Sequence, residues 1–300
     1  MKLSPEVIAV LRCPSCGARL SEKGESLVCA GRPRHVFASE DGLLTFANVE
    51  PGKYQPDYAK QYAALWAYGF ATRHSGLDEP LYRTVASLAA EALAAAPGQA
   101  GKPVIVDAGC GVGRTTADCA ELAAGATVLG FDGSPHMLGL AAKVVRGRSA
   151  VPVDLRDAGF PRLKIPGRGL KHVFLARADV QRLPVAAASV DLALSVNIID
   201  RLPHGPEPAF RECSRILRPG GWLVFTDPLN WQGSVLWRKH GDGGRNTDVL
   251  RLLERCGFEL VTWFDDLWYR EVLDARGSFE EFRTLVVKAR LKHGTETRDS

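Results

Sequence analysis

The sequence predicts an α/β fold, a mostly parallel sheet with helices on both faces, preceded by a small cysteine-bearing module. Two observations support this prediction. Short apolar strands alternate with helical segments from residue 80 onward, which is typical of parallel sheets. The first of these strands, residues 104–106, runs into Asp107 and three alternating glycines before a helix begins.

Composition limits the functional classes. At 300 residues, with 46% apolar and 24% charged residues, the chain can bury one large core and a small accessory module. No apolar run approaches the ~18 residues of a membrane span, and the first residues lack the apolar core of a signal peptide. We therefore expect a cytoplasmic protein with no membrane partner. The net charge of +4 is mild and does not by itself indicate nucleic-acid binding.

Three of the seven cysteines lie in the first 30 residues, which favours metal binding over a disulfide framework. Cys13, Cys16, Cys29 and His35 would give zinc three sulfurs and one nitrogen in a tetrahedron. A complete ribbon would carry a cysteine at position 32, where Arg32 stands. The predicted structural zinc site therefore needs a loop that folds back to bring in His35. The alternative is a degenerate ribbon that has lost its metal.

The glycine turn predicts a nucleotide-type ligand. Gly109, Gly111 and Gly113 follow Asp107 at a spacing that allows positive φ angles and close approach of a ligand to the backbone. The dinucleotide fingerprint would require glycine at position 114, which is Arg114. The pattern therefore favours S-adenosylmethionine over NAD, with other nucleotides or a purely structural turn left open.

Two later strands also end in acids. Asp132 closes the apolar strand 127–132, where a carboxylate can accept both ribose hydroxyls. Asp179 closes the strand 173–179 and could accept from the adenine amino group. Further strands are predicted at residues 189–197 and from residue 217 onward.

Four motifs together resemble the class I S-adenosylmethionine-dependent methyltransferases: residues 107–113, Asp132, Asp179 and Leu217-Arg-Pro-Gly-Gly221. The likeness covers about residues 80–290. It implies a Rossmann-like, seven-stranded methyltransferase sheet with strand order 3-2-1-4-5-7-6, behind a zinc-ribbon-like module. The implied divisions are the zinc-ribbon-like module at 1–50, a linker and aromatic lid segment at 51–79, the methyltransferase domain at 80–291 and a flexible tail at 292–300.

The resemblance also implies the site residues. Cofactor-binding residues would be Asp107, Gly109, Cys110, Gly111, Gly113, Asp132, Gly133, Met137, Asp179, Val180 and Asn197. Because methyl transfer from a sulfonium is an in-line displacement, the enzyme chiefly aligns the acceptor and the methyl group. Catalytic or acceptor-positioning candidates are Asn197, Asp200, Asp227 and Tyr269, with His204 as a further possible base; a structural role for each of the ionisable candidates stays open.

Three functions compete. The leading one is methylation of a small molecule or biosynthetic intermediate. The second is methylation of an rRNA or tRNA base, because an insert at 146–171 carries seven basic residues against two acids. The cysteine-bearing motif at the start of the chain ends in His35-Val36-Phe37. It resembles the zinc module of the 23S rRNA guanine-N1 methyltransferases, and also the small zinc ribbons that accompany methyltransferases. The third is a non-catalytic, cofactor-binding partner of another enzyme. The acceptor atom and the oligomeric state stay open.

Overall fold

The computed structural model describes residues 2–40, 42–47, 79–95, 101–202, 204–230 and 245–293. The predicted aromatic lid segment, Trp231 and the tail beyond residue 293 lie outside these ranges. The helices are α1 Pro5–Val10, α2 Glu79–Ala94, α3 Arg114–Leu122, α4 Pro135–Ala141, α5 Glu207–Ile216 and α6 Arg245–Arg255. The strands are β1 Leu20–Lys23, β2 Ser26–Cys29, β3 Val36–Phe37, β4 Ser39–Glu40, β5 Leu43–Thr45, β6 Val104–Ala108, β7 Thr127–Asp132, β8 Val151–Val153, β9 Leu163–Ile165, β10 Val173–Arg177, β11 Val190–Val196, β12 Leu217–Asp227, β13 Phe258–Val272 and β14 Phe279–Leu291.

The main sheet has nine strands in the order β13-β14-β12-β11-β6-β7-β10-β5-β4. When the seven strands from β6 onward that belong to this sheet are numbered along the chain, their order is 3-2-1-4-5-7-6. The predicted count of seven is too low, because β5 and β4 from the N-terminal segment extend the sheet beyond β10. Of the remaining strands, β1–β3 form a small sheet and β8–β9 a hairpin in the insert.

The strands β12, β11, β6, β7 and β10 run parallel, as does β5 beside β10, so their carboxyl ends meet at one edge of the sheet. That edge carries Ala108, Asp132, Arg177, Val196 and Asp227 as the last strand residues. Open α/β sheets place their ligands outside this edge. The fold therefore gathers the predicted site residues in one place.

Helices cover the two faces of the sheet unequally. Residues of α2, α3 and α4 share one apolar core, which includes Leu81, Ala117 and Leu138. Residues of α5 and α6 share the core on the opposite face, which includes Phe210 and Leu253. The second face receives no helix from the connection between β10 and β11, because residues 178–189 contain none.

The N-terminal module lies where that crossover helix would be. Leu11 forms a β-bridge with Val185, and the N–H of Arg12 donates to the carbonyl oxygen of Pro184 at 2.9 Å. The module is therefore attached by backbone hydrogen bonds to the connection that lacks a helix.

Apolar packing joins the module to the domain. Leu11, Leu20 and Leu27 from the module are buried in the same core cluster as Phe131 of β7 and Phe174 of β10. A parallel strand needs both faces covered, and here the module covers one of them. Although we predicted a division near residue 50, the two predicted units share one hydrophobic core.

The module also contributes to the edge of the main sheet. Leu44 of β5 pairs in parallel with Ala176 of β10, and the N–H of Phe46 donates to the carbonyl oxygen of Arg177 at 2.8 Å. An exposed strand edge is thereby paired within the chain.

The closing hairpin is longer than the sequence pattern indicated. The apolar pattern near the end of the sequence predicts strands at 259–264 and 282–289, whereas β13 has 15 residues and β14 has 13. Among the described residues, no helix is long and apolar enough to cross a membrane.

The shared core makes a testable prediction. Leu11 is 0% exposed, so Leu11→Ala should lower the free energy of unfolding by about 2–5 kcal/mol, through lost burial and a residual cavity. The matched control Leu122→Ala changes a leucine that is 45% exposed and should stay within about 0.5 kcal/mol. Urea unfolding of the full chain measures both. An equal, small effect of the two changes would contradict the shared core.

Candidate active site

The turn after β6 is built from glycines with positive φ angles of 84°, 52° and 82° at Gly109, Gly111 and Gly113. A Cβ on Gly109 would lie 2.4 Å from Ile198, and one on Gly113 would lie 2.6 Å from Val145. A Cβ on Gly111 would meet only the sulfur of Met137, at 3.6 Å. Of the three glycines predicted to admit a ligand, Gly111 therefore faces open space as far as the described residues are concerned, while Gly109 and Gly113 make room for neighbouring side chains.

Asp107 lies beneath this turn and is fully buried. Its Oδ2 accepts hydrogen bonds from the hydroxyls of Thr115 at 2.7 Å and Thr116 at 2.5 Å. Its Oδ1 has no hydrogen-bond partner among the described residues. Burial raises the pKa of Asp107 to about 6, and the charge of Asp132 adds to the rise. The sequence reasoning missed both threonines, although they stand in the first turn of the predicted helix.

Asp132 connects the tip of β7 to the glycine turn. Its Oδ2 accepts from the N–H of Gly111 at 2.9 Å and its Oδ1 from the N–H of Ser134 at 2.7 Å. A carboxylate oxygen can accept two hydrogen bonds, so these contacts do not exhaust its capacity. Burial raises the pKa of Asp132, while the backbone N–H groups lower it.

The neighbouring cofactor candidates differ in exposure. Met137 stands in the first turn of α4 and is partly exposed, and its N–H donates to the hydroxyl of Ser134, the N-cap of α4, at 3.3 Å. Gly133 accepts a hydrogen bond from Arg177 at 3.0 Å through its carbonyl oxygen. Cys110 is buried under the turn, which raises the pKa of its thiol.

Asp179 and Val180 follow the end of β10. Asp179 is partly exposed, and its Oδ1 accepts from the N–H of Gln181 at 2.9 Å. Val180 is buried. The N–H of Ala178 donates to the carbonyl oxygen of Asp132 at 3.1 Å, so the two acid-bearing strand tips are held side by side.

Asn197 and Tyr269, which are 72 residues apart in the sequence, meet at the end of β11. The Asn197 amide nitrogen donates to the Tyr269 hydroxyl oxygen at 2.7 Å, and the Thr226 hydroxyl donates to the Asn197 amide oxygen at 3.0 Å. Asn197 has a φ of 55°, in the left-handed region. The Tyr269 ring stacks on Phe282 with centroids 5.3 Å apart. Burial raises the pKa of Tyr269, so its phenol stays neutral and can donate a hydrogen bond.

Asp227 holds the loop after β11. It is fully buried, and its carboxylate accepts from the N–H groups of Ile199 at 2.9 Å and Leu229 at 2.7 Å. Burial and the charge of Asp200 raise its pKa. Because the carboxylate is enclosed and hydrogen-bonded to the backbone, it braces the loop; the contact of Asp227 with an acceptor stays a prediction.

Asp200 braces the next loop. Its Oδ2 accepts from the N–H of Asn230 at 3.0 Å, and its Oδ1 lies 3.3 Å from the guanidinium of Arg201. Burial raises the pKa of Asp200 to about 6. The remaining base candidate, His204, is exposed.

The four predicted metal ligands meet in the module. The Sγ atoms of Cys16 and Cys29 are 3.9 Å apart, and the His35 Nδ1 lies 3.4 to 3.8 Å from the three cysteine sulfurs. All four ligand atoms lie within 4.8 Å of one another. A Cβ on Gly31 would come within 2.7 Å of the Cys16 sulfur, so the turn before His35 needs glycine. The loop thus folds back past Arg32 as the ligand set requires.

The basic insert is a folded unit whose charges are partly balanced. Arg156 and Arg162 lie 2.6 and 3.6 Å from Asp154, and Arg168 lies 3.3 Å from Glu121 of α3. Its hairpin has a small core of its own. Glu121, which lies outside the insert, therefore reduces the positive charge of the insert. A less positive surface is less suited to binding RNA.

Residues 106–225 match the family profile of a methyltransferase domain. A malonyl-[acyl-carrier protein] O-methyltransferase of Methylovorus sp. is 34% identical over 122 residues, which cover 41% of this chain and 36% of that protein. An uncharacterised methyltransferase of Synechocystis sp. is 26% identical over 217 residues, which cover 67% of this chain and 85% of that protein.

Among solved structures, a TehB-like SAM-dependent methyltransferase from Corynebacterium glutamicum is 21% identical with a TM-score of 0.49, covering 79% of this chain and all of that one. The chain spans little more than a third of the length of some curated relatives that it matches, 36% and 37% in two cases. The profile match includes the glycine turn and the strand ends of β7, β10 and β11.

The buried Asp107 predicts a dependence of stability on pH. Its pKa is about 6 when folded, against an ordinary value of 3.8, so between these values the folded state binds more protons than the unfolded state. Stability therefore falls as the pH rises from about 4 to about 6. Asp107→Asn cannot ionise and should gain on the order of 2–3 kcal/mol relative to the wild type over this range.

Urea unfolding of the ligand-free protein at several pH values measures this difference. The exposed control Asp154→Asn removes a carboxyl whose pKa is lowered by Arg156, so its curve should run parallel to the wild type between pH 5 and 6. If Asp107→Asn also runs parallel there, the carboxyl is ionised in the folded state and its assigned environment is wrong.

Proposed function

We propose that this chain, which carries a methyltransferase domain at residues 106–225, is an S-adenosylmethionine-dependent methyltransferase that acts on a small molecule or a biosynthetic intermediate. The observation that supports it best is the unit of Asp107, Gly111 and Asp132 at the carboxyl edge. Within the described ranges, Asp107 has a buried oxygen without a hydrogen-bond partner and Gly111 faces open space, and Asp132 is hydrogen-bonded to Gly111.

These residues fit the cofactor. The unpartnered Oδ1 of Asp107 suits an ammonium or N–H donor, and Gly111 leaves room for the methionine portion. Asp132 would accept from the ribose hydroxyls and Asp179 from the adenine amino group, with Met137 and Val180 flanking the base. When bound, S-adenosylmethionine supplies a methyl group on a sulfonium, a carbon already activated for displacement.

Asn197 and Tyr269 would hold the acceptor. The Asn197 amide is fixed on both sides by Thr226 and Tyr269, so it is oriented in advance of binding. Because the Tyr269 oxygen accepts from Asn197, its own hydrogen points elsewhere and can donate to an acceptor. Alignment of this kind supplies most of what an in-line methyl transfer requires from the protein.

The acceptor class rests on two supports. Some relatives are named as O-methyltransferases of malonyl-[acyl-carrier protein], which is a biosynthetic intermediate. The insert that suggested RNA binding has its charge partly neutralised by neighbouring acids. A non-catalytic, cofactor-binding partner would use Asp107, Asp132 and Asp179 in the same way, so these acids support cofactor binding and the acceptor side of the site has to carry the case for catalysis.

Cofactor binding tests the proposal. Asp132→Asn removes the charge that would accept the ribose hydroxyls and should weaken S-adenosylhomocysteine binding at least ~10-fold, since charge-assisted hydrogen bonds contribute about 1.5–3 kcal/mol. Calorimetry on the full chain measures the affinity. Asp154→Asn, in the exposed part of the insert, serves as the matched control and should bind normally. Equal affinities for the two variants would remove the ribose assignment.

We also propose that Cys13, Cys16, Cys29 and His35 hold a structural zinc ion. Tetrahedral zinc, with bonds of about 2.3 Å to sulfur and 2.0 Å to nitrogen, sets ligand atoms about 3.8 Å apart for two sulfurs and about 3.5 Å for sulfur and nitrogen. The observed separations of 3.9 Å and 3.4 to 3.8 Å agree with both. Three thiolates and one imidazole form a closed, four-ligand set, as structural sites require.

Elemental analysis tests the metal site. The purified chain should contain about one zinc ion, and Cys29→Ser should lose it together with several degrees of thermal stability, because metal affinity contributes to folding. The control Cys256→Ser changes a buried cysteine directly after α6, outside the cluster, and should keep the zinc. Less than ~0.2 zinc per wild-type chain would refute a functional metal site.

A further inference from the structure

The hairpin of β13 and β14 continues past the carboxyl edge of the sheet as a two-stranded arm. The last pair that joins β12 to β14 is Asp227 with Leu285. Beyond this register, residues 267–272 pair with residues 279–284, and we call these two segments and the turn between them the arm. At ~3.3 Å per residue the six pairs make the arm about 20 Å long.

The arm is held at its middle and at its tip. In the middle, the hydroxyl oxygen of Tyr269 accepts the hydrogen bond from Asn197, at the end of β11. At the tip, the N–H of Ala275 donates to the carbonyl oxygen of Ala158 at 2.9 Å. Ala158 ends a short 3₁₀ turn, Arg156–Ala158, in the insert that follows the helix after β7.

These attachments define the path of the arm. The sheet order is β14, β12, β11, β6 and β7. With strands ~4.8 Å apart, β14 and β7 are about 19 Å apart, close to the length of the arm. The middle of the arm contacts the end of β11, and the tip contacts the insert that follows β7 and its helix. The strand between β11 and β7 is β6, which leads into the glycine turn.

The two faces of the arm differ in exposure. Tyr269 is 3% exposed, and Leu267 and Phe282 are partly buried against the core that α2 covers. On the other face, Trp268 and Phe279 are 53% and 45% exposed. One face thus packs down on the domain, which places the arm as a cover over the edge.

We propose that the arm and the 3₁₀ turn Arg156–Ala158 close an arch over the cofactor and acceptor crevice, and that opening of the tip contact admits and releases both molecules. This inference rests on the proposed function and narrows its substrate class. An acceptor enclosed beneath the arch must be of metabolite size, such as a small acid or a short carrier-linked group, rather than a base within a folded RNA.

The tip is suited to opening because a backbone hydrogen bond and close packing of small residues join it to the insert in the described part of the chain. One backbone hydrogen bond joins Ala275 to Ala158, and a Cβ on Gly159 would lie 3.4 Å from the Cβ of Ala275. Within the tip, Asp274 accepts from the N–H groups of Arg276 at 2.8 Å and Ser278 at 3.1 Å. The turn is therefore ordered by its own hydrogen bonds, both when the contact with Ala158 is formed and when it is broken.

A cross-link at the tip tests the arch. Paired substitutions Gly159→Cys and Ala275→Cys put two thiols close to the ~3.8 Å Cβ separation of disulfides. Stopped-flow displacement measures the association and dissociation rates of S-adenosylhomocysteine on the full, metal-loaded chain. Both rates should fall at least tenfold on oxidation and recover on reduction, with the dissociation constant nearly unchanged. Each single cysteine variant is a matched control whose exchange rates should not respond to oxidation, and Gly159→Cys also reports the strain of a side chain at a φ of 81°.

A second variant keeps the test decisive if the cysteine pair does not fold. Asp274→Ala removes two hydrogen bonds from the tip turn and should speed release of S-adenosylhomocysteine several-fold. Wild-type rates in both the cross-linked protein and Asp274→Ala would overturn the arch while leaving the proposed function intact. If the cross-linked protein methylated bulk tRNA as fast as the reduced form does, only the restriction to metabolite-sized acceptors would be overturned. A wild-type chain that does not bind S-adenosylhomocysteine would overturn the proposed function and this inference together.

Discussion

The apolar face of β6, β7 and β10 that no crossover helix covers is the constraint on which the arrangement of this chain depends. Parallel strands are stable only when both faces are buried. The connection at 178–189 runs back across that face without a helix, and Leu11, Leu20 and Leu27 of the N-terminal module fill the space. The module is thus part of the hydrophobic core, and the Cys/His cluster fixes a segment that the sheet needs.

This packing ties the cluster to the functional edge. The carbonyl oxygen of Ser15, beside Cys16, accepts a hydrogen bond from Arg182 at 3.0 Å. Arg182 stands three residues after Asp179, and its own N–H donates to the Asp179 carbonyl oxygen at 2.9 Å. The loop that carries two of the cysteines is therefore two hydrogen bonds away from the acid at the tip of β10. A change in the geometry of the cluster would be transmitted first to that strand tip.

Local signals allowed the sequence to predict the centre of the domain, because they act over a few residues. The positive φ angles at Gly109, Gly111 and Gly113 follow from glycine, and Ser134 caps its helix as its position before Pro135 indicates. Tertiary contacts set what the sequence could not predict. The length of β13 depends on pairing with a distant strand, and Thr115 and Thr116 gain their role only because Asp107 is buried below them. The fit of His35 into the cluster likewise depends on a turn that spacing alone left open.

The same edge concentrates four buried carboxyl groups, of which Asp200 and Asp227 brace loops and Asp107 and Asp132 lie at the glycine turn. Burial raises the pKa of all four: Asp107, Asp132, Asp200 and Asp227. The charge of Asp132 raises the pKa of Asp107 further, and the charge of Asp200 does the same for Asp227. Such groups cost folding free energy at neutral pH, and a fold that keeps them generally does so for function.

A cationic ligand relieves this cost, because an opposite charge nearby favours the ionised carboxylate. The proposed cofactor carries a sulfonium and an ammonium, whereas a dinucleotide would bring a negatively charged pyrophosphate to the same turn. The acids that lower the folding stability of this edge would therefore also discriminate between these ligands. Each would stabilise a cation and repel a phosphate. Binding of the cation to the folded state alone would in turn stabilise the fold by mass action. On this account the choice of S-adenosylmethionine over NAD rests on the charge of the whole edge as well as on the residue at position 114.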